Sequence, residues 1–275
     1  MVAIPFQLAI ENATVAFQMD DCDGLDHVVA LARQNGLAGY EEPYPALVAS
    51  IVRALPGDML DIGANTGLFS LLAAASRPAV RVHAFEPLQS IRTRLQHNIA
   101  INPALAAAID VHAVAISDRN GEAVFFETIN PYGLLTTSSG LDAAFAHQHG
   151  EVREHRVPTA TLDSWIMAHD ISEVAFIKID VESHEQAVLT GASDAVQLLR
   201  PVIGIELLGA ADFEFFAAFL AEHDFLDCAM TPSTMTIGNE PRCVADGWNH
   251  LFVPIERLSL ITHVATSIGL AVHEA

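Results

Sequence analysis

The segment Asp61-Ile62-Gly63-Ala64-Asn65-Thr66-Gly67-Leu68-Phe69 constrains the fold of this chain more than any other. An apolar stretch ending in Met59-Leu60 precedes it, and the helix-like run Leu68 to Ala75 follows. Strand, glycine-rich turn and helix start, in that order, bring a backbone close to a nucleotide-like ligand. Gly63 and Gly67 permit dihedrals closed to other residues and leave room where a side chain would block the ligand. A dinucleotide site calls for G-x-G-x-x-G, whereas this turn reads D-x-G-x-x-x-G. Asp61 would repel a pyrophosphate. It suits a cofactor with positive charge, such as the sulfonium and amino groups of S-adenosylmethionine.

A second anchor lies nineteen positions beyond Gly67. Val80-Arg81-Val82-His83-Ala84-Phe85 alternates as a strand and ends at Glu86-Pro87. In nucleotide-binding α/β units an acidic residue about 20 positions past the glycine turn takes the ribose hydroxyls. Glu86 fits that role, and a solvated charge before a turn-forming proline is the plainer reading.

Bulk composition narrows the function classes. With 275 residues, 51% hydrophobic, the chain has material for a single α/β domain. Its net charge of −21 argues against binding nucleic acid or an anionic membrane surface, both of which need Lys and Arg. Met1-Val2-Ala3-Ile4-Pro5 has no basic region typical of a signal peptide, and no apolar run approaches the ~18 residues of a membrane span. Cys22, Cys228 and Cys243 form neither a disulfide framework nor a zinc pattern. The expectation is a cytoplasmic protein without membrane insertion or nucleic-acid partner.

Along the chain, Phe6 to Met19 reads as a β-hairpin turning at Glu11-Asn12, outside the main sheet. Ala46 to Leu55 is helical and is closed by Pro56-Gly57. A helix over Leu88 to Ile101 leads to a strand over Val111 to Ile116. Asn120-Gly121 then reads as a hairpin turn into Ala123 to Phe126. Thr128 to His155 is the least regular stretch, and loops of that length are functional or mobile. Thr161 caps a short helix to His169. Val174 to Asp180 is a buried strand, His184 to Leu199 a helix, Pro201 to Glu206 a strand, and Asp212 to His223 a helix. Late strands near Phe225 to Met230 and Leu251 to Ile255 close the sheet. Leu258-Ser259-Leu260-Ile261 with Val264, Ile268 and Leu270 has a helical pattern that packs on the domain or on the second subunit of a homodimer. Alternating strands and helices indicate a mostly parallel sheet covered on both faces. The expected layout is one domain: an extension over residues 1–39, a core over 40–254 and a C-terminal extension over 255–275.

Ligands of such sheets bind beyond the carboxyl ends of the strands, where this chain carries Asp61, Glu86, Asp180 and Glu206. Acidic residues that open helices explain any one of them but not all four together. The segments Asp61-Ile-Gly-Ala-Asn-Thr-Gly67, Ala84-Phe-Glu-Pro87, Phe176-Ile-Lys-Ile-Asp-Val-Glu182, His184-Glu185 and Val188-Leu-Thr-Gly-Ala192 resemble FkbM-type S-adenosylmethionine-dependent methyltransferases. The resemblance runs from about Tyr40 to Pro254 and departs at Ser183, where the family usually has glycine. It implies a Rossmann-like, seven-stranded, class I methyltransferase sheet, here with an N-terminal β-hairpin added, and methylation of hydroxyl oxygens of sugars, glycans or polyketide-like metabolites. It also implies that Asp61, Gly63, Asn65, Thr66 and Gly67 cradle the methionine portion and that Glu86 holds the ribose. Ala115 to Asp118 would then border the adenine, and Asp180 would face both methyl group and acceptor.

In-line methyl transfer gains much of its rate from alignment, and a hydroxyl acceptor also needs a base within hydrogen-bond reach. Asp180, Glu182 and His184 are the candidates. His184 is favoured because its ordinary pKa lies nearest neutrality, with Asp180 orienting it. The plainer reading has His184 opening a helix and Asp180 paired with Lys178, the only lysine in the chain. The same three residues also have the chemistry for a divalent ion, a reading left open beside a site without metal. His147-x-His149 reads as solvated loop histidines. The loop Asn130 to Ser139 is expected to bind a neutral, polyhydroxylated acceptor, with Tyr132 or Trp248 against a sugar face. Two other classes remain open. An assembly module that keeps the fold without turnover is motivated by Ser183 and would be excluded by a methylated product. A nicotinamide-dependent oxidoreductase is disfavoured by Asp61 and the missing G-x-G-x-x-G, and tight dinucleotide binding would revive it.

Overall fold

A computed structural model describes residues 3–135, 137–244 and 247–275. Met1 and Val2, the start of the segment read for targeting, and Thr136 of the acceptor loop lie outside the described residues.

Strands β1 (Ala3–Ile10) and β2 (Ala13–Asp20) form the expected hairpin, with Ile10 opposite Ala13 and Asn12 at φ 58°. Alternate residues Phe6, Leu8, Val15, Phe17 and Met19 are buried, as a half-covered strand pair requires. They pack on helices α1 (His27–Gly39, broken at Gly36), α2 (Tyr44–Ala54) and α3 (Leu68–Ser76). The strands β3 (Asp58–Ile62) and β4 (Val82–Phe85) flank α3, and helix α4 (Gln89–Ala100) leads to β5 (Ile109–His112). Next come β6 (Ala115–Ile116), β7 (Gly121–Ile129), α5 (Ala143–His149), β8 (Glu151–Ala160) and α6 (Leu162–Ala168). The chain continues through β9 (Val174–Ile179), α7 (Glu185–Thr190), α8 (Ser193–Leu199), β10 (Val202–Glu206) and α9 (Phe213–His223). It finishes with β11 (Phe225–Met230), β12 (Thr234–Gly238), β13 (Asn249–Pro254), α10 (Leu258–Ser267) and β14 (Ala271–Glu274).

The central sheet is α/β and mostly parallel, in the order β14-β12-β11-β13-β10-β9-β3-β4-β5. β13 runs antiparallel to both of its neighbours. The seven strands from β11 to β5 form the expected core, and β12 and β14 extend the sheet to nine. A turn at Thr231, whose N–H reaches the Thr234 carbonyl, folds β12 back along β11, and β14 then pairs with β12. Residues of β3, β9 and β10 are buried almost throughout, because helices cover both faces. Ile261, Val264 and Leu270 of the C-terminal segment join this chain's own core.

Three local expectations are corrected. The run from Val111 to Ile116 splits between two sheets, and β7 pairs antiparallel with β8 rather than with its preceding neighbour. Asn120 therefore makes no hairpin; its Oδ1 accepts from the Thr161 N–H and the Ser164 hydroxyl. The expected helix over His184 to Leu199 breaks at Gly191. A Cβ there would lie 2.1 Å from the Ser117 carbonyl oxygen, so this approach excludes a side chain.

Candidate functional site

The turn between β3 and α3 is held from both sides. Gly63 and Ala64 donate backbone N–H groups to the Phe85 carbonyl at the end of β4, and the Asp180 N–H reaches the Ile62 carbonyl. Gly63 has φ 81°, and a Cβ on it would lie 1.8 Å from the Asp180 carbonyl oxygen. Gly67 has φ 99° and leaves α3 without a side-chain cap. The Asn98 side chain fastens the turn from α4 by donating to the Thr66 carbonyl at 2.9 Å.

Beyond these strand ends lies a cavity of about 550 Å³, within the range of sites that enclose a small molecule. Gly63, Asn65, Thr66, Gly67, Glu86, Ala115, Asp180, Glu182, His184 and Glu206 all line it. Asp61 and Asp118 are not among the residues that line it. Asp61 lies inside β3, fully buried, accepting from the Ser70 hydroxyl at 2.5 Å and in register with Lys178. It anchors the first turn of α3 from beneath. Asp118 faces its neighbours, with its carboxylate 3.2 Å from the Ser117 hydroxyl and 3.6 Å from Arg119.

Glu86 is buried at the cavity wall, and its Oε1 accepts from the Leu88 N–H at 2.8 Å. Burial pushes its carboxyl up to about 7, against the N–H groups of Leu88 and Asn65 that favour the ionised form. Phe85, Ile116, Phe125 and Leu141 give the cavity apolar walls.

Another part of the lining is acidic. Lys178, buried above the Phe69 ring, pairs with Asp180 at 2.8 Å. Around them stand Glu41, Glu182 and Glu206. Burial and then the Asp180 charge push both Glu182 and Glu206 up to about 9, and the same two causes raise Glu41. His184 is not oriented by Asp180. Its Nε2 lies 2.9 Å from the Ser117 hydroxyl, on the side of Ala115 and Ile116, and burial pushes its pKa down. Among the described residues no three carboxylate, imidazole or thiol groups converge as a metal site, and the Asp180, Glu182 and His184 set does not form one.

Several cavity residues carry no sequence signal of their own. His27, Val28, Leu31 and Asn35 of α1 form one wall, and Tyr40 and Glu41 join it from the link to α2. Trp248 lines the cavity while 46% exposed, whereas Tyr132 is 87% exposed and lies outside the lining. From the expected acceptor loop, Thr137 and Ser139 contribute. His149 is bonded to the Phe145 carbonyl and His147 packs on Phe126, so the two do not act together.

The sequence model of the methyltransferase FkbM domain matches residues 61–227, well over half of the chain. The AMB antimetabolite synthetase AmbE of Pseudomonas aeruginosa is 32% identical over 176 residues, covering 51% of this chain and 8% of that protein. The 31-O-demethyl-FK506 methyltransferase FkbM of Streptomyces tacrolimicus is 30% identical over 166 residues, covering 52% of this chain and 63% of that one. The chain thus spans less than two thirds of either relative. Among solved structures, a methyltransferase FkbM from Methylobacillus flagellatus aligns with a TM-score of 0.47 at 17% identity, over 71% of this chain and 43% of its own.

Proposed function

Because the chain belongs to the methyltransferase FkbM domain family, we propose that it transfers a methyl group from S-adenosylmethionine to a hydroxyl oxygen of a neutral, polyhydroxylated acceptor in the cytoplasm. A sugar, glycan or polyketide-like metabolite is the acceptor class. The observation that carries this reading is one cavity whose lining gathers the glycine turn, the Glu86 carboxyl and the carboxyls of Asp180, Glu182 and Glu206. One relative is named for methylating an oxygen, which supports the choice of atom.

The residues fit the cofactor. The backbone from Gly63 to Gly67 would hold the methionine portion, the Glu86 carboxylate would accept from the two ribose hydroxyls, and Phe85, Ile116 and Leu141 would enclose a flat ring. Bound there, S-adenosylmethionine supplies an electrophilic methyl on a positively charged sulfur. The protein's own contribution is alignment, exclusion of water and a place for the acceptor's proton. Carboxylates near the sulfonium favour its positive charge and disfavour anionic acceptors. Trp248, half exposed at the cavity, offers an apolar face to a sugar ring.

Calorimetry with S-adenosylhomocysteine tests the cofactor, and no heat at high micromolar ligand would sink the reading. Mass spectrometry of reactions with S-adenosylmethionine and a panel of glycosides and macrocyclic alcohols tests the acceptor. Products are expected from neutral hydroxyl compounds; a preference for phosphorylated or nucleic-acid acceptors would overturn the assignment.

A further inference from the structure

Two side chains in the acidic part of the cavity lining stand apart from the rest. Asp180 is committed to Lys178, Glu41 accepts from the Asn249 amide at 3.4 Å, and Glu185 accepts from the Val181 N–H at 3.2 Å. His184 is engaged by Ser117. Among the described residues, Glu182 and Glu206 alone of these cavity carboxylates have neither a hydrogen-bond nor an ion-pair partner, although both are largely buried. Topology brings them together. Glu206 closes β10, whose Ile205 is in register with Ile179 of β9, and Glu182 lies three residues past Ile179. Two partnerless carboxyls facing one cavity are in place to meet an acceptor.

Building on the methyl-transfer reading above, we propose that Glu182 and Glu206 act as one proton-sharing pair that takes the acceptor's hydroxyl proton. In the step, the acceptor oxygen forms a bond to the methyl carbon as the carbon–sulfur bond breaks and its electron pair stays on sulfur. The hydroxyl proton passes to a carboxylate oxygen of the pair, so one positive and one negative charge vanish together. The electrostatics agree. Burial first, then the charge of Asp180, holds both groups well above the carboxylate range, and Lys178 offsets this only in part. Glu41 and Glu185 also press on Glu206, and Glu185 on Glu182. The first proton lost leaves an ionised carboxylate beside a protonated one, and the second is held more tightly, so the two titrate as a unit. Once ionised, such a base is stronger than an ordinary glutamate, and with both groups held at about 9 its ionised form, and turnover with it, grows as pH rises toward that value.

The test is a carbon-13 NMR titration of glutamate side-chain carboxyls in the complex with S-adenosylhomocysteine, over about pH 5 to 10. Two resonances should move in linked steps, at least one above neutrality. In Glu206→Gln the remaining Glu182 should titrate as a single group at lower pH. Two carboxyls fully ionised by about pH 6, or a Glu182 titration unchanged in Glu206→Gln, would overturn the pairing. Failure to bind S-adenosylhomocysteine would instead overturn the cofactor reading. With an acceptor from the panel above, Glu182→Gln and Glu206→Gln should each lose about 100- to 10,000-fold in turnover at unchanged cofactor affinity. Wild-type turnover in both variants would remove the pair from the reaction.

Discussion

Lys178 and Asp180 project from the same end of β9 and close an ion pair at 2.8 Å, with the ammonium almost fully buried. Burial alone would push Lys178 down, but Asp180 and Asp61 carry it above its ordinary value. The lysine is therefore the counter-charge for the carboxylates crowded around it. Lys178→Met keeps the volume and removes the charge. Removing one partner of a fully buried pair costs about 3–5 kcal/mol; with the Asp180 side chain 36% exposed the loss should be smaller, and a denaturant titration at neutral pH would report it as a lowered midpoint. An unchanged midpoint would show that solvent already screens Asp180 and that the fold does not need the lysine as its counter-charge.

Glu86 sets function against stability. Its carboxyl titrates near 7 in the folded protein against an ordinary 4.5. Between those values the folded state binds more protons, so Glu86 lowers stability progressively as pH rises through the window and by its full amount above it. Glu86→Gln should therefore be more stable than the parent at pH 8, by up to about 3 kcal/mol, and nearly equal to it at pH 4. The same variant should bind S-adenosylhomocysteine more weakly. In the parent protein that affinity should fall, by up to about tenfold per unit, as pH drops below 7 and the carboxyl takes up its proton. Equal stability of the two proteins at both pH values would refute the burial penalty.

His112 works in the opposite sense. Burial, with the charges of His83 and His169, pushes it down to about 4. The unfolded chain then binds the extra proton between about 4 and 6.5, and stability from this source is complete above 6.5 and lost toward 4. His112→Asn should flatten the acid limb of a thermal-melt series without altering the pH dependence of S-adenosylhomocysteine binding. A steep acid limb surviving in the variant would place the titration elsewhere.

Ser183 pays a local conformational cost. It has φ 72° directly after Glu182 at φ 56°, in the left-handed region where a Cβ is crowded. Ser183 is exposed, so replacing it removes no packing. Ser183→Gly should raise stability by about 1 kcal/mol, read from the denaturation midpoint. A loss of stability would mean that the hydroxyl makes a contact in solution that outweighs the strain.

The readable parts of this chain are those in which one residue type answers to one physical demand. Gly63 and Gly67 mark a turn because its dihedrals and the Asp180 carbonyl exclude a side chain. Val174 to Ile179 reads as a strand because both of its faces are covered. β8 was not legible, since Glu151-Val-Arg-Glu-His-Arg156 is polar on both faces and pairs in a small, solvent-facing sheet. Asp61 was visible as a residue, but its direction was not. A carboxylate near a glycine turn can face the ligand or the helix beneath, and here it bonds to Ser70. The wall supplied by α1 is tertiary, because nothing local in His27 to Asn35 says which cavity it will cover.

Asn98 joins the two parts of the molecule that sequence alone leaves separate. Fully buried, it donates to the Thr66 carbonyl at 2.9 Å, and its Oδ1 accepts from the Asp20 N–H at the end of the hairpin, also at 2.9 Å. Asn98→Ala strands a buried carbonyl and a buried N–H, a loss of about 2–4 kcal/mol. Asn98→Asp keeps an acceptor for Asp20 but has no N–H for Thr66. If the Thr66 bond is what holds the glycine turn in shape, both variants should weaken S-adenosylhomocysteine binding to a similar degree, although Asn98→Asp retains the hairpin contact. Calorimetry on the two variants, at a temperature where both remain folded, separates the contributions. Parent-like affinity in Asn98→Asp would show that the turn holds its shape without α4.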